Sequence, residues 1–169
     1  MPNEFKIFKF SLIHQASKDG FLISSIKLRA GGKIKNLVII TTESRRRFSF
    51  FTPLSFSFRD DMKEKYKPDN LLASFIFSID RKTKLSLKEE QKEKAIQDHS
   101  NYINYIIVAD GHDICICNNS NLNNNHCYIL TSYGTENFPF TKSSEEARSF
   151  MAVSHYFKTT EIEWYQIFP

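Results

Sequence analysis

The sequence predicts an α+β, mainly β protein: an all-β core with one or two helices on its surface. Three observations carry this prediction. Short segments of strand composition recur along the chain, one early stretch has helical apolar spacing, and the chain closes on an alternating pattern that contains its only tryptophan.

Residues 5–14, FKIFKFSLIH, alternate phenylalanine, isoleucine and lysine imperfectly and read as the first strand. In SKDGFLISSIKLRAGG (17–32), Phe21, Leu22, Ser25, Ile26 and Leu28 fall at helical spacing. Ser17 or Asp19 can cap the free N–H groups of the first turn, and Gly31-Gly32 provides the stop. NLVIITT (36–42) is β-branched and reads as a strand. Arg45-Arg46-Arg47, the densest positive run, reads as the solvated edge of a hairpin. LLASFIFSI (71–79) and YINYIIVA (102–109) are nearly continuous apolar runs, as expected for strands buried on both faces. Residues 58–70 form a charged connection ended by Pro68, and 134–146 a polar loop holding Pro139. SLKEEQKEKAIQD (86–98) is a second helix candidate, with Glu90 and Lys94 spaced to support each other but little to bury, so 82–100 is expected to be an exposed polar insertion. In FKTTEIEWYQIF (157–168), Ile162, Trp164 and Gln166 share one face of a strand while Glu163, Tyr165 and Ile167 share the other.

A chain of 169 residues, 41% hydrophobic and 14% aromatic, can bury one core, and a single domain over 1–169 is expected. The net charge of +4, from 23 basic and 19 acidic residues, gathers into no long basic stripe, so no nucleic-acid partner is expected. The three cysteines are an odd count, and the close pair sits one residue apart, a poor disulfide geometry that favours a reducing, cytoplasmic setting. MPNEFKIFKF lacks the apolar run of a secretory signal, and runs such as LVII (37–40) and YIIVA (105–109) fall far short of the ~20 residues of a membrane helix. No membrane insertion is expected.

All three cysteines and two histidines crowd into GHDICICNNSNLNNNHC (111–127). Thiolate and imidazole are zinc's preferred ligands, which makes His112, Cys115, Cys117, His126 and Cys127 the set to weigh. Structural zinc sites usually place two residues between paired cysteines. Cys115 and Cys117 are separated by one, the period of a strand, and an extended Asp113–Cys117 puts Ile114 and Ile116 on one face and the two cysteines on the other. Six of the eight residues 118–125 are asparagine, which makes a compact polar loop between strands. Calcium would want several carboxylates, and Asp110 and Asp113 are the ones close by. No metal or other cofactor is expected.

Ser55, His112 and Asp113 supply the residue types of a nucleophilic site, yet neighbours on a strand point to opposite faces, and no activated-serine turn accompanies them. Cys115, Cys117 or Cys127 could be oxidised if exposed and ionised, but would be inert on a core-facing strand.

The stretch GHDICICNNSNLNNNHCYILTSYG (111–134) resembles the C-terminal half of the TLDc domain, in which a Gly-His-Asp strand runs into an asparagine-rich loop and then a Ser-Tyr element. Three further segments match in order: SLIHQASKDGF (11–21), RFSFFTPLSF (47–56) followed by SFIFSI (74–79), and SFMAVSHYFKTTEIEWYQIF (149–168). The resemblance spans about residues 10 to 168. Departures are visible: Ser49 and Phe50 stand where the family has two glycines, Phe56 where it has tryptophan, and the approach to Gly111 is not glycine-rich. The chain resembles a diverged member, and the fold implied is a sandwich of two antiparallel sheets with about two flanking helices. The function implied is a non-enzymatic interaction module that protects against oxidative damage and binds the peripheral subunits of the V-type proton ATPase, regulating its assembly. A structural or scaffold subunit of a larger assembly and a small enzyme or thiol-dependent antioxidant are the alternatives. The interaction candidates are Asp19, Gly20, Thr52, Ser55, Gly111, His112, Asp113, Asn118, Asn119, Glu161 and Glu163. Asp19 and Gly20 could shape a contact loop or form a helix cap and turn; Glu161 and Glu163 could meet a basic partner or be the wet face of the last strand.

Overall fold

A computed structural model describes residues 8–57, 66–97, 105–108, 113–127, 129–135, 138–141 and 144–168. The first half runs β1 (Lys9–Gln15), α1 (Ala16–Asp19), α2 (Ile23–Ala30), β2 (Asn36–Thr42), β3 (Arg47–Thr52), β4 (Tyr66–Lys67) and β5 (Phe75–Ser78). It continues through β6 (Thr83–Leu87), a 3₁₀ turn (Glu89–Lys94), β7 (Ile96–Gln97), β8 (Tyr105–Val108), β9 (Ile114–Cys117), β10 (Asn125–His126) and β11 (Tyr133–Gly134). Helix α3 (Glu145–Ser149), β12 (Tyr156–Phe157) and β13 (Thr159–Phe168) close it. Among the described residues, the strands form a seven-stranded sheet, ordered β1-β13-β2-β3-β5-β6-β11, and a six-stranded one, ordered β12-β10-β9-β8-β7-β4. The pairings are antiparallel. No described helix is long and apolar enough to cross a membrane.

Both sheets contribute to one buried cluster: Val38, Ile40, Phe48, Phe50, Ile76, Leu85 and Trp164 from the larger, Ile96, Ile106, Ile114, Ile116 and Phe157 from the smaller. The alternation of β2 and β13 selects the inward residues, because side chains one apart on a strand leave opposite faces. Trp164 is fully buried, donates its indole N–H to Asn36 Oδ1 at 2.8 Å, and meets Phe56 and Phe50 edge-on at 5.4 and 6.2 Å. Phe50 and Phe56 therefore fill core volume around the tryptophan. Each aromatic buried there stabilises the fold by about 2–3 kcal/mol.

Several expectations need correction. The single helix over 17–30 is two pieces, because Gly20 at φ 93 ends the one turn of α1 and α2 begins only at Ile23. Its buried stripe is Ile23, Ile26 and Ala30, not Leu22 and Leu28, and Leu28 is 87% exposed. Neither Ser17 nor Asp19 caps α2. The exposed helix expected over 86–98 is instead the end of β6, a 3₁₀ turn and β7. This stretch buries Leu87, Ala95 and Ile96 in the common core, and β6 and β7 hydrogen-bond into the sheets, so 83–97 is part of the fold and not an exposed insertion. Within 71–79 the strand is β5, which alternates: Ile76 and Ser78 face inward while Phe75 and Phe77 stay half-buried, and Leu71 is exposed. One face of that strand, not both, meets the core. In β8, Ile106 is buried but Tyr105 is exposed.

Candidate functional site

Five of the eleven candidate residues, Asp19, Gly20, Asn118, Asn119 and Glu161, meet at one corner, where α1, the start of α2, the asparagine loop and the start of β13 converge. Gly20 allows the turn there, and its N–H returns to Ala16 O at 2.9 Å. Asp19 Oδ2 reaches back to the Gln15 N–H at 2.9 Å, while its Oδ1 pairs with Arg29 at 2.8 Å. The Gln15 N–H, with Arg29 beside it, holds the Asp19 carboxyl below the usual carboxylate range. Glu161 Oε1 accepts the N–H groups of Ser17 and Ile162, each at 3.0 Å, and Oε2 accepts from the Gln15 amide at 3.4 Å. Burial raises the Glu161 acid, and these donors outweigh it, so its pKa lies below the ordinary value. Glu161 is thus an internal anchor for α1 and not a wet-face charge.

The asparagine loop is fixed from two sides. Asn118 Oδ1 accepts the Ile23 N–H at 2.9 Å and supplies the cap of α2, which the neighbouring Leu22 cannot. Asn119, at φ 53, donates its N–H to Phe21 O, and Asn123 donates to Asn118 O at 2.7 Å. Fully buried Asn125 accepts the Cys117 N–H and donates to Ser120 O and Phe157 O. The hydroxyls of Ser120 and Thr159 lie 2.6 Å apart, and the Thr159 N–H returns to Ser120 O. Each such bond contributes on the order of 1 kcal/mol, but breaking one leaves a buried group without water at a larger cost. The surface that results is braced by these hydrogen bonds, and each of the two loops presents an exposed leucine, Leu22 (43%) and Leu122 (68%).

Behind this corner lies His14, 1% exposed, whose ring nitrogens make no hydrogen bond among the described residues. Its Nδ1 is 3.8 Å from Asp19 Oδ2. Burial lowers its pKa, and the Asp19 carboxylate opposes that only in part.

The remaining candidates lie elsewhere. Thr52 is fully buried and accepts from the Ser74 hydroxyl at 3.0 Å and the Leu54 N–H at 3.2 Å. The Ser55 carbonyl holds the Lys67 ammonium at 2.6 Å. Asp113 is fully buried and gathers the N–H groups of Thr131, Ser132 and Tyr133 at 3.2, 2.8 and 3.4 Å, organising that turn. Burial pushes its acid up to about 7 against those donors. No hydrogen bond joins Ser55 to Asp113. Glu163 accepts from the Tyr165 hydroxyl at 2.9 Å, and Gly111 and His112 lie outside the described residues.

Strand β9 has the expected two faces, with Ile114 and Ile116 in the common core and Cys115 and Cys117 packed together on the other side. The hydrogen bond to Cys117, then burial, raises the Cys115 thiol, and burial raises that of Cys127, both far from the thiolate that metal binding or oxidation needs. Among the described residues no three His, Cys, Asp or Glu side chains are grouped to hold a metal ion.

His14, Gln15, Arg29, Ser120, Asn125 and Thr159 complete the corner without having been singled out in the sequence. Only Asn125 carried a signal, as the last member of the asparagine run. The family model described as the TLDc domain matches residues 1–168, practically the whole chain. No curated protein matches it.

Proposed function

The chain belongs to the TLDc domain family, and from that premise we propose that it works as a non-enzymatic protein-interaction module in the cytoplasm. Its partner in this reading is the peripheral sector of the V-type proton ATPase, whose assembly it regulates as part of resistance to oxidative stress. Its two sheets pack as the sandwich of that family, a reading supported by the core they share.

The observation that carries the proposal is the corner itself. The charged and amide groups of Asp19, Asn118 and Glu161 are committed to internal bonds, so they serve to hold a shape, while Leu22 and Leu122 remain outside it. Such a stiff polar frame with apolar tips suits recognition, since little ordering is required on binding. The test is affinity purification of the tagged chain from its own cells, with mass spectrometry of what co-purifies. Recovery of peripheral V-type ATPase subunits, lost in a Leu22→Glu/Leu122→Glu variant, is expected. Recovery of a different stable complex, or of nothing above background, overturns the proposal.

A further inference from the structure

The outer face of the seven-stranded sheet, away from the common core, carries an apolar row that crosses five strands. Leu12, Tyr165, Leu37, Phe51 and Phe75 stand side by side in register across β1, β13, β2, β3 and β5. Beside this row lies a trough of about 400 Å³, lined by Phe10, Lys35, Leu37, Phe51, Phe75 and Ile167 among others. Phe51 and Phe75 stack at 5.3 Å to form its floor, and Phe8 and Phe10 stand 52% and 57% exposed at its β1 end. Contiguous apolar surface of this kind marks an interaction site more often than it marks nothing.

The charge around the trough narrows the occupant. Among the described residues that line it, Lys35 is the ionisable one and none is a carboxylate. At the β5 end the Lys84 ammonium sits 4.8 Å above the Phe75 ring. Neither lysine has a salt-bridge partner among the described residues. A second copy packed face to face by a two-fold axis would bring these like charges towards each other, which costs affinity. A lipid surface is flat, whereas the trough is concave. Five strands at a spacing of ~4.8 Å span about 19 Å, the length of about 13 helical residues at ~1.5 Å each.

We propose that this trough is a docking groove for an amphipathic helix of a partner protein, whose apolar stripe fills the Phe51–Phe75 floor and whose flanking carboxylates meet Lys35 and Lys84. The groove is distinct from the corner, and its test uses no V-type ATPase component, so either proposal can fail without the other.

The probes are two synthetic helical peptides of about 14 residues with one identical leucine stripe, flanked in one by glutamates and in the other by lysines. Binding is read by fluorescence anisotropy on the full chain. The glutamate peptide should bind saturably and the lysine peptide at least ten times more weakly. Lys35→Glu should weaken the glutamate peptide at least tenfold. Lys35→Gly should weaken it too while keeping or raising the thermal midpoint, because Lys35 sits at φ 57, where glycine is unstrained. No binding of the glutamate peptide, equal binding of both peptides, or wild-type binding by Lys35→Glu overturns the proposal. So does self-association in ultracentrifugation, or capture by phosphatidylserine vesicles, that Phe10→Ser and Phe75→Ser abolish.

Discussion

The inner face of the seven-stranded sheet and the corner around the asparagine loop are held by opposite means. Inside, Trp164, Phe50 and Phe56 interlock by shape, and the indole adds a polar contact through its N–H to Asn36. At the corner, individual oxygen and nitrogen atoms of Asp19, Asn118, Asn125 and Glu161 each hold a particular backbone group. The difference teaches which positions can drift. Apolar volume can be supplied by more than one residue type, as Phe50 and Phe56 together fill the space around Trp164. A hydrogen bond to a buried N–H needs one atom in one place.

The largest break in this comparison should come from Trp164→Ala, which leaves a cavity against two aromatic rings; we expect a loss of about 3–5 kcal/mol in urea melts. Asn125→Ala should cost about 2 kcal/mol or more although it removes few atoms, because it takes the acceptor from the buried Cys117 N–H and a donor from each of the Ser120 and Phe157 carbonyls. If Asn125→Ala were as mild as an average surface change, the corner would not be held by its hydrogen bonds.

Two buried titratable groups sharpen the comparison through pH. His14 has a folded pKa below its ordinary 6.5, so the unfolded chain binds the extra proton first, and its contribution is lost as pH falls below about 6.5. Asp113 is raised from 3.8 to about 7, so the folded chain binds the extra proton between those values, and its contribution is lost as pH rises through that window. The two slopes oppose each other in the wild type. Urea melts between pH 5 and 7 should show His14→Phe losing stability as pH rises and Asp113→Asn gaining it. The same slope in both variants would contradict the assignment.

A smaller effect, about 1 kcal/mol, is expected for Asn118→Ala, with Asn118→Asp retaining the α2 cap because its carboxylate keeps an acceptor at the same position. Smallest of all is Leu28→Ala, within ~0.5 kcal/mol, since Leu28 faces solvent. A loss above 2 kcal/mol there would restore the helical stripe expected from the sequence.

Local spacing alone does not fix that stripe. Phe21, Ser25 and Leu28 fit a helical period as well as Ile23, Ile26 and Ala30 do, and only packing on the core chooses between them. The strands β9 and β13 were legible because their alternation is local and strong, and β2 because its composition is β-branched. Strand β7 was hidden because it is two residues long and follows a charged turn. For the candidate site, the residue types at Asp19, Asn118 and Glu161 could be picked out, but their meaning could not. Asn118 caps a residue 95 positions away and Glu161 holds one 144 positions away, distances no periodicity reports. His14 gave no local signal at all, since its character depends on its burial in the folded chain.

The most direct measurement of the central claim is a binding isotherm between the purified chain and the purified peripheral sector of the V-type ATPase, taken for the wild type and for Leu22→Glu/Leu122→Glu. Both leucines are solvent-exposed, so the variant should keep its thermal midpoint within about 2 °C. Saturable wild-type binding and at least a tenfold weaker variant are expected. No wild-type binding, or equal binding by a folded variant, would contradict the proposal that this corner is the chain's contact surface.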